Sequence, residues 1–124
     1  MKILVAEDEA TLLEMIAFDL EEQGASVMRA KDGEEAIQMM NKQQPDLLLL
    51  DLLMPKKDGF DVLKYVRKKG YAFPVVIISN LSAPLEERLC RDLGAKDYLI
   101  KSQFDTGDLW ERVKKYLKQE APLK

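Results

Sequence analysis

The chain contains no histidine and only one cysteine, Cys90, among its 124 residues. The lack of histidine excludes a histidine-based catalytic triad, a histidine-ligated metal ion and a phosphohistidine within this chain. One cysteine cannot form an internal disulfide, and low cysteine usage is typical of proteins in a reducing compartment. We therefore expect a cytoplasmic protein whose chemistry uses carboxylates, lysines, hydroxyls or an added metal ion.

Long apolar runs and an excess of positive charge are also missing. The sequence turns acidic at Glu7, too early for a signal peptide, and no apolar run reaches membrane-spanning length. Lysine and arginine number 19 against 22 acidic residues, a net charge of −3, whereas duplex DNA and anionic membranes attract basic surfaces. We therefore expect neither a nucleic acid nor a membrane as the direct partner.

Short apolar segments alternate with helical patterns along the chain, which is typical of a parallel sheet covered by helices on both faces. The predicted strands cover residues 2–6, 26–30, 46–51, 74–79 and 97–101, and the predicted helices cover about 10–23, 34–42, 59–69, 84–93 and 106–118. We expect one α/β domain over residues 1–118, followed by a frayed tail or the start of a linker at 119–124.

Polar side chains follow the predicted strands at their carboxyl ends, where ligands bind in open parallel sheets. They are Glu7 and Asp8 after the first strand, Asp51 at the end of the third, Ser79 at the end of the fourth and Lys101 at the end of the fifth. If the first and third strands are neighbours, about 4.8 Å apart, three carboxylates share one pocket and repel one another unless a cation lies among them. Open, oxygen-lined sites suit Mg²⁺, so the sequence predicts a magnesium site here.

The same side chains suit phosphoryl transfer. A metal ion and Lys101 would neutralise charge on the phosphoryl oxygens, Ser79 would donate a hydrogen bond, and an oxygen of Asp51 would attack in line. The product would be an acyl phosphate on Asp51.

Further features stand in a characteristic order along the chain. They are Lys2-Ile3-Leu4-Val5 before Glu7-Asp8, four leucines before Asp51, Met54-Pro55 and Gly59 beyond it, Ser79, Gly94-Ala95, and Tyr98 with Lys101. From about residue 2 to 117 the chain resembles the receiver domains of two-component response regulators. The resemblance implies a flavodoxin-like, doubly wound α/β fold with five βα units and strand order 2-1-3-4-5.

The resemblance also implies roles for the site residues. Asp51 would accept a phosphoryl group from the phosphohistidine of a histidine kinase or a histidine phosphotransfer protein, and Lys101 would hold the phosphoryl oxygens. Asp8, Asp51 and the backbone carbonyl of Leu53 would bind Mg²⁺ directly, and Glu7 would act through a metal-bound water. Such a domain is a signalling switch rather than an enzyme, because it catalyses only its own phosphorylation and dephosphorylation.

The output would follow from a change of conformation. Ser79 would move toward the phosphoryl group and Tyr98 would swing inward, which would change the face formed by the fourth helix, fifth strand and fifth helix. That face would act on a downstream protein or an attached effector domain. Phosphorylation-dependent homodimerisation through it would pair Asp97 with Arg112, although Glu87 stands where a basic residue would help.

Two residues depart from the family pattern. Ser102 follows Lys101 where the family has proline, and a cis bond before a non-proline residue costs about 2.5–4 kcal/mol, so we expect a trans peptide. Asn80 stands where the family has a small residue, and its amide would crowd or hydrogen-bond the phosphoryl group. Both departures favour an alternative, a pseudo-receiver that serves as an interaction module without phosphotransfer. Leu53 replaces the second aspartate of phosphohydrolases with a similar fold, and no Gly-x-Gly turn supports a nucleotide binder.

Leu53 and Leu81 lie two residues beyond Asp51 and Ser79, at positions that flank the attacking water in this family. Because two leucines would exclude water, we expect a slowly hydrolysed phosphoaspartate. The change Leu53→Asn or Leu81→Glu should shorten its half-life, measured as decay of the phosphorylated mass beside the wild type. An unchanged half-life in both variants would contradict the expectation that these leucines slow hydrolysis.

Overall fold

Five parallel strands form one sheet in the computed structural model, which describes residues 1–80, 84–103 and 106–118. The strands are β1 (Lys2–Ala6), β2 (Ser26–Ala30), β3 (Leu47–Asp51), β4 (Val75–Ser79) and β5 (Asp97–Ile100). Their spatial order is β2-β1-β3-β4-β5, so the predicted doubly wound fold and the 2-1-3-4-5 order are confirmed.

The helices that connect and follow the strands are α1 (Ala10–Glu22), α2 (Gly33–Lys42), α3 (Gly59–Lys69), α4 (Pro84–Asp92) and α5 (Thr106–Lys118). A 3₁₀ turn, Lys101–Gln103, follows β5. The fifth strand is one residue shorter than predicted, because its last paired residue is Ile100, opposite Ser79. None of the helices in the described ranges is long and apolar enough to span a membrane.

The leucine run of β3 divides the core into two layers. Leu47–Leu50 are all fully buried, as expected for a central strand covered on both faces. Leu48 and Leu50 pack in the layer that includes Met40 of α2 and Val62 of α3. Leu47 and Leu49 pack in the layer formed with α1 and α5. Each buried leucine contributes roughly 1.5–3 kcal/mol of hydrophobic stabilisation, so this run anchors both layers of helices.

The strand register brings the carboxyl ends of β1 and β3 to the same edge of the sheet. Ala6, the last residue of β1, pairs with Leu50, and Asp51 pairs with Ile78 of β4. Glu7 directly follows Ala6 and Asp51 directly follows Leu50. The strand register therefore brings the two acidic residues to neighbouring positions at this edge.

Helix α3 is fixed closely at both ends. Asp58 caps its start by accepting a hydrogen bond from the backbone N–H of Asp61 at 2.9 Å, and Asp61 accepts one from Asp58 N–H at 3.3 Å. Such a capping box satisfies backbone donors that the first turn leaves unpaired. The helix ends at Gly70, whose φ of 75° is the left-handed conformation that glycine adopts without strain.

Candidate functional site

Three carboxylates meet at the ends of β1 and β3. Glu7, Asp8 and Asp51 each place one oxygen so that the three atoms lie within 4.8 Å of one another. Glu7 is fully buried and Asp51 is 3% exposed, whereas Asp8 is exposed. The cluster therefore has two buried carboxylates and one that opens to solvent.

Lys101 is the cation that balances this cluster. Its Nζ lies 2.8 Å from Oε1 of Glu7 and 3.3 Å from Oδ2 of Asp51. Burial alone would lower the pKa of Lys101, but the close ion pair with Glu7 and the charge of Asp51 outweigh it and raise the pKa above its ordinary value. The ammonium group is therefore fully charged at neutral pH. The sequence placed Lys101 at this edge of the sheet as a positive charge, but it did not predict the contacts with Glu7 and Asp51.

The environment of Asp51 disfavours its charged form. Burial and the neighbouring charge of Glu7 raise the pKa of Asp51 to about 7, against opposing effects of Lys101 and of the Leu53 backbone N–H. That N–H donates to Oδ1 of Asp51 at 3.3 Å. A second cation among the carboxylates would relieve the repulsion and favour the ionised form.

The donor set fits Mg²⁺. Carboxylate oxygens are hard ligands, and Mg²⁺ binds through one or two carboxylates while it keeps several waters. The exposed side of the cluster at Asp8 leaves room for those waters. Glu7, Asp8 and Asp51 are thus the residues that could hold the ion, as the sequence predicted.

A glycine holds the backbone on the far side of Asp51. Gly59 N–H, at the start of α3, donates to the carbonyl oxygen of Leu52 at 2.8 Å. A Cβ at this position would lie 2.5 Å from the carbonyl oxygen of Asp51, so a larger residue does not fit. The close approach fixes the chain immediately after Asp51 against α3.

Ser79 and Tyr98 are joined beside this site. Ser79 ends β4 and is fully buried, and Tyr98 lies on β5 with 7% exposure. Burial raises the pKa of the Tyr98 hydroxyl, and a side-chain hydrogen bond with Ser79 partly opposes that effect. Tyr98 therefore already occupies an inward position in this structure.

The remaining sequence-predicted residues are exposed or lie outside the described part. The Leu53 side chain is 56% exposed, and Asn80 is exposed just beyond β4. Leu81 falls outside the described residues. The described ranges contain no cis peptide bond, so the expected trans geometry of Lys101-Ser102 is confirmed. The 3₁₀ turn still brings the ammonium group of Lys101 to Asp51.

Comparison with known proteins shows the family of this chain. The family model described as the response regulator receiver domain matches residues 3–114. This chain belongs to the response regulator receiver family. The family predicted from the ordered residues at the strand ends is therefore confirmed.

A bacterial transcriptional regulator is similar in sequence to this chain. The chain is 36% identical over 118 residues to the alkaline phosphatase synthesis transcriptional regulatory protein PhoP of Bacillus subtilis (strain 168). The match covers 95% of this chain and 49% of PhoP, so this receiver chain spans about half the length of that relative.

Two solved structures have the same fold. The Francisella response regulator 1452 receiver domain is 33% identical, with a TM-score of 0.90 over 97% of this chain and 98% of that one. The BeF₃-activated N-terminal receiver domain of Klebsiella pneumoniae RstA is 28% identical, with a TM-score of 0.89 over 96% of this chain and 100% of that one.

Removing the charge of Asp51 should stabilise the metal-free receiver. At pH 8 the buried Asp51, with a pKa of about 7, is charged, so Asp51→Asn should raise the free energy of unfolding in EDTA by on the order of 2 kcal/mol. The gain should shrink toward pH 5, because a pKa of about 7 leaves the folded-state Asp51 largely neutral there.

Urea unfolding at the two pH values measures this difference. Asp58→Asn is the matched control, since asparagine caps a helix as well as aspartate does and no change is expected. An Asp51→Asn variant that is less stable than the wild type at pH 8 would contradict the prediction.

Proposed function

We propose that this receiver accepts a phosphoryl group on Asp51, with Mg²⁺, from the phosphohistidine of a histidine kinase or a histidine phosphotransfer protein. The observation that carries the proposal is the contact of Asp51 Oδ2 with Lys101 Nζ at 3.3 Å beside two further carboxylates. A buried nucleophilic carboxylate, a fixed cation and a set of magnesium ligands are the parts that phosphoryl transfer requires.

The proposed step is an in-line displacement at phosphorus. An oxygen of Asp51 forms the new O–P bond while the P–N bond of the donor phosphohistidine breaks, and the imidazole leaves with that electron pair and takes up a proton. Bound Mg²⁺ supplies positive charge to the phosphoryl oxygens. Asp8, Asp51 and the backbone carbonyl of Leu53 would hold the ion directly, with Glu7 acting through a metal-bound water.

In this proposal Lys101 and Ser79 donate hydrogen bonds to the phosphoryl oxygens. The Lys101 ammonium is already held within 3.3 Å of the Asp51 carboxylate and is anchored by Glu7 at 2.8 Å. It therefore needs little reorganisation to donate to a phosphoryl oxygen. Ser79 lies at the end of the adjacent strand and supplies a hydroxyl donor from β4.

The hydrogen bond between Ser79 and Tyr98 supports a role for both in switching. A phosphoryl group on Asp51 offers Ser79 a charged acceptor, which forms a stronger hydrogen bond than a neutral tyrosine hydroxyl does. Moving Ser79 toward it would break the bond with Tyr98 and change the packing of β5 with its neighbours. The output would pass through α4, β5 and α5 to a downstream protein or an attached effector domain.

The departures from the family pattern do not favour the pseudo-receiver alternative. Asn80 is exposed rather than packed into the cluster. Lys101 reaches both Glu7 and Asp51 although serine follows it. Both features that suggested an inactive module are thus compatible with an intact phosphorylation site.

The face of α4, β5 and α5 is the proposed surface for homodimerisation after phosphorylation. Leu85 and Leu89 stand one helical turn apart on α4 and are 65% and 46% exposed. They supply apolar area that a second copy would cover.

The ion pairs of this face lie within one chain. Asp97 lies 3.7 Å from Arg91 and 3.8 Å from Arg112, and Tyr116 donates to it at 2.9 Å. Glu87 pairs with Arg91 at 3.0 Å. The Arg112 side chain is 49% exposed whereas that of Asp97 is 13% exposed, so exchanging this pair between two copies would require Arg112 to move rather than Asp97.

Phosphorylation is tested by the intact mass after incubation with acetyl phosphate. The wild type should gain one phosphoryl group with Mg²⁺ and none in EDTA, and Asp51→Asn should gain none. Asp58→Asn, the same chemical change outside the cluster, should be labelled like the wild type. If no adduct forms and beryllofluoride also fails to bind, the pseudo-receiver becomes the better account.

Dimerisation is tested by sedimentation with and without beryllofluoride and Mg²⁺. The wild type should sediment as a monomer without the phosphoryl mimic and as a dimer with it, and Leu85→Ser should remain monomeric in both conditions. Lys68→Ser on α3, outside this face, is the control for a surface change. A wild-type monomer in both states would exclude this mode of association.

A further inference from the structure

A cavity of about 440 Å³ lies between α3 and the turn that precedes β5. It is at the amino end of β4, where Lys96 N–H donates to the carbonyl oxygen of Val75 at 2.8 Å. Asp51 is at the opposite, carboxyl end of the neighbouring strand. The cavity is therefore separate from the phosphorylation site, and its volume is within the range of small-molecule sites, about 300–1,000 Å³.

The inner surface of the cavity is apolar and aromatic. Leu63, Val66 and Val75 line it and are at most 5% exposed. Tyr71 and Phe73 also line it, with ring centroids 5.4 Å apart and an angle of 30° between the rings. A flat apolar group would pack against these aromatic rings.

The aromatic wall is already fixed in place. The Tyr71 hydroxyl donates to the side-chain oxygen of Asn41 on α2, and the Asn41 amide donates to the Tyr65 hydroxyl on α3 at 2.7 Å. A ligand would not have to order this wall when it binds, which lowers the cost of binding.

The polar part of the lining is cationic. Arg67 and Lys96 line the cavity, and no acidic residue among those that the structure describes does so. In the ranges 1–80, 84–103 and 106–118, neither side chain makes an ion pair with a carboxylate. Two such cations beside an apolar surface create a local positive potential.

Arg67 reaches across from α3 to the opposite wall. Its Nη1 lies 3.1 Å from the point that a Cβ of Gly94 would occupy. Gly94 has a φ of 102° and belongs to the turn between α4 and β5. The absence of a side chain there lets the guanidinium lie against the turn, beside the apolar interior.

We propose that this cavity binds a small organic anion with a flat apolar body. The body would pack on Val66, Tyr71 and Phe73, and a carboxylate, sulfonate or phosphate group would pair with Arg67 and Lys96. Arginine suits this role because its planar guanidinium donates two parallel hydrogen bonds to such groups.

Fluorescence titration with 8-anilinonaphthalene-1-sulfonate tests the proposal, with N-phenyl-1-naphthylamine as a neutral probe of the same ring body. The sulfonate should bind the folded wild type saturably at one site. Arg67→Gln should weaken its binding about tenfold, the effect of losing a charge-assisted hydrogen bond, and should change binding of the neutral probe less than twofold.

Three further variants make the test specific. Lys68→Gln makes the same change of charge on α3 but borders a different cavity, so it should bind like the wild type. Ala72→Trp at the exposed rim should weaken both probes by filling the mouth. Asp51→Asn should have no effect, which separates this site from the phosphorylation chemistry.

Amide shifts in ¹H–¹⁵N spectra locate the bound sulfonate. Changes should centre on Gly70, Gly94 and Lys96. Changes centred on the exposed Met15 and Phe18 of α1 would overturn the proposal, as would equal binding by the wild type and Arg67→Gln.

Discussion

Repulsion among the carboxylates at the ends of β1 and β3 is the constraint around which this receiver is organised. Backbone pairing forces Glu7 and Asp51 side by side, and both are almost completely buried. The cost is offset by Lys101, which arrives from the far side of β4. One lysine does not balance three carboxylates, so a divalent cation among them would relieve the remaining repulsion.

Much of the fold was predictable because burial and turn residues repeat at regular intervals. The leucine run before Asp51 marks a strand buried on both faces, and the acidic residues after two strands predict their meeting at one edge. Strand order came from the family resemblance and not from periodicity. The same resemblance gave Lys101 a role in holding phosphoryl oxygens.

Other contacts could not be predicted because they depend on side-chain reach and packing rather than on pattern. The 2.8 Å ion pair between Lys101 and Glu7 depends on the 3₁₀ turn that begins at Lys101, and no periodicity in the sequence specifies the geometry of that turn. The pairing of Asp97 with Arg112 within one chain depends on how α5 lies against β5. Likewise, the position of Arg67 across the cavity depends on its close approach to the glycine turn at Gly94.

The burial of Cys90 has a consequence for how this protein meets oxidants and thiol reagents. The side chain is fully buried on α4, and burial raises the pKa of the thiol to about 11. Only the thiolate reacts readily. At neutral pH the Cys90 thiol is therefore both shielded from reagents and protonated. Cys90 in the folded chain should therefore not react with oxidants or thiol reagents. A cysteine introduced on the surface would then be labelled selectively with a spectroscopic probe.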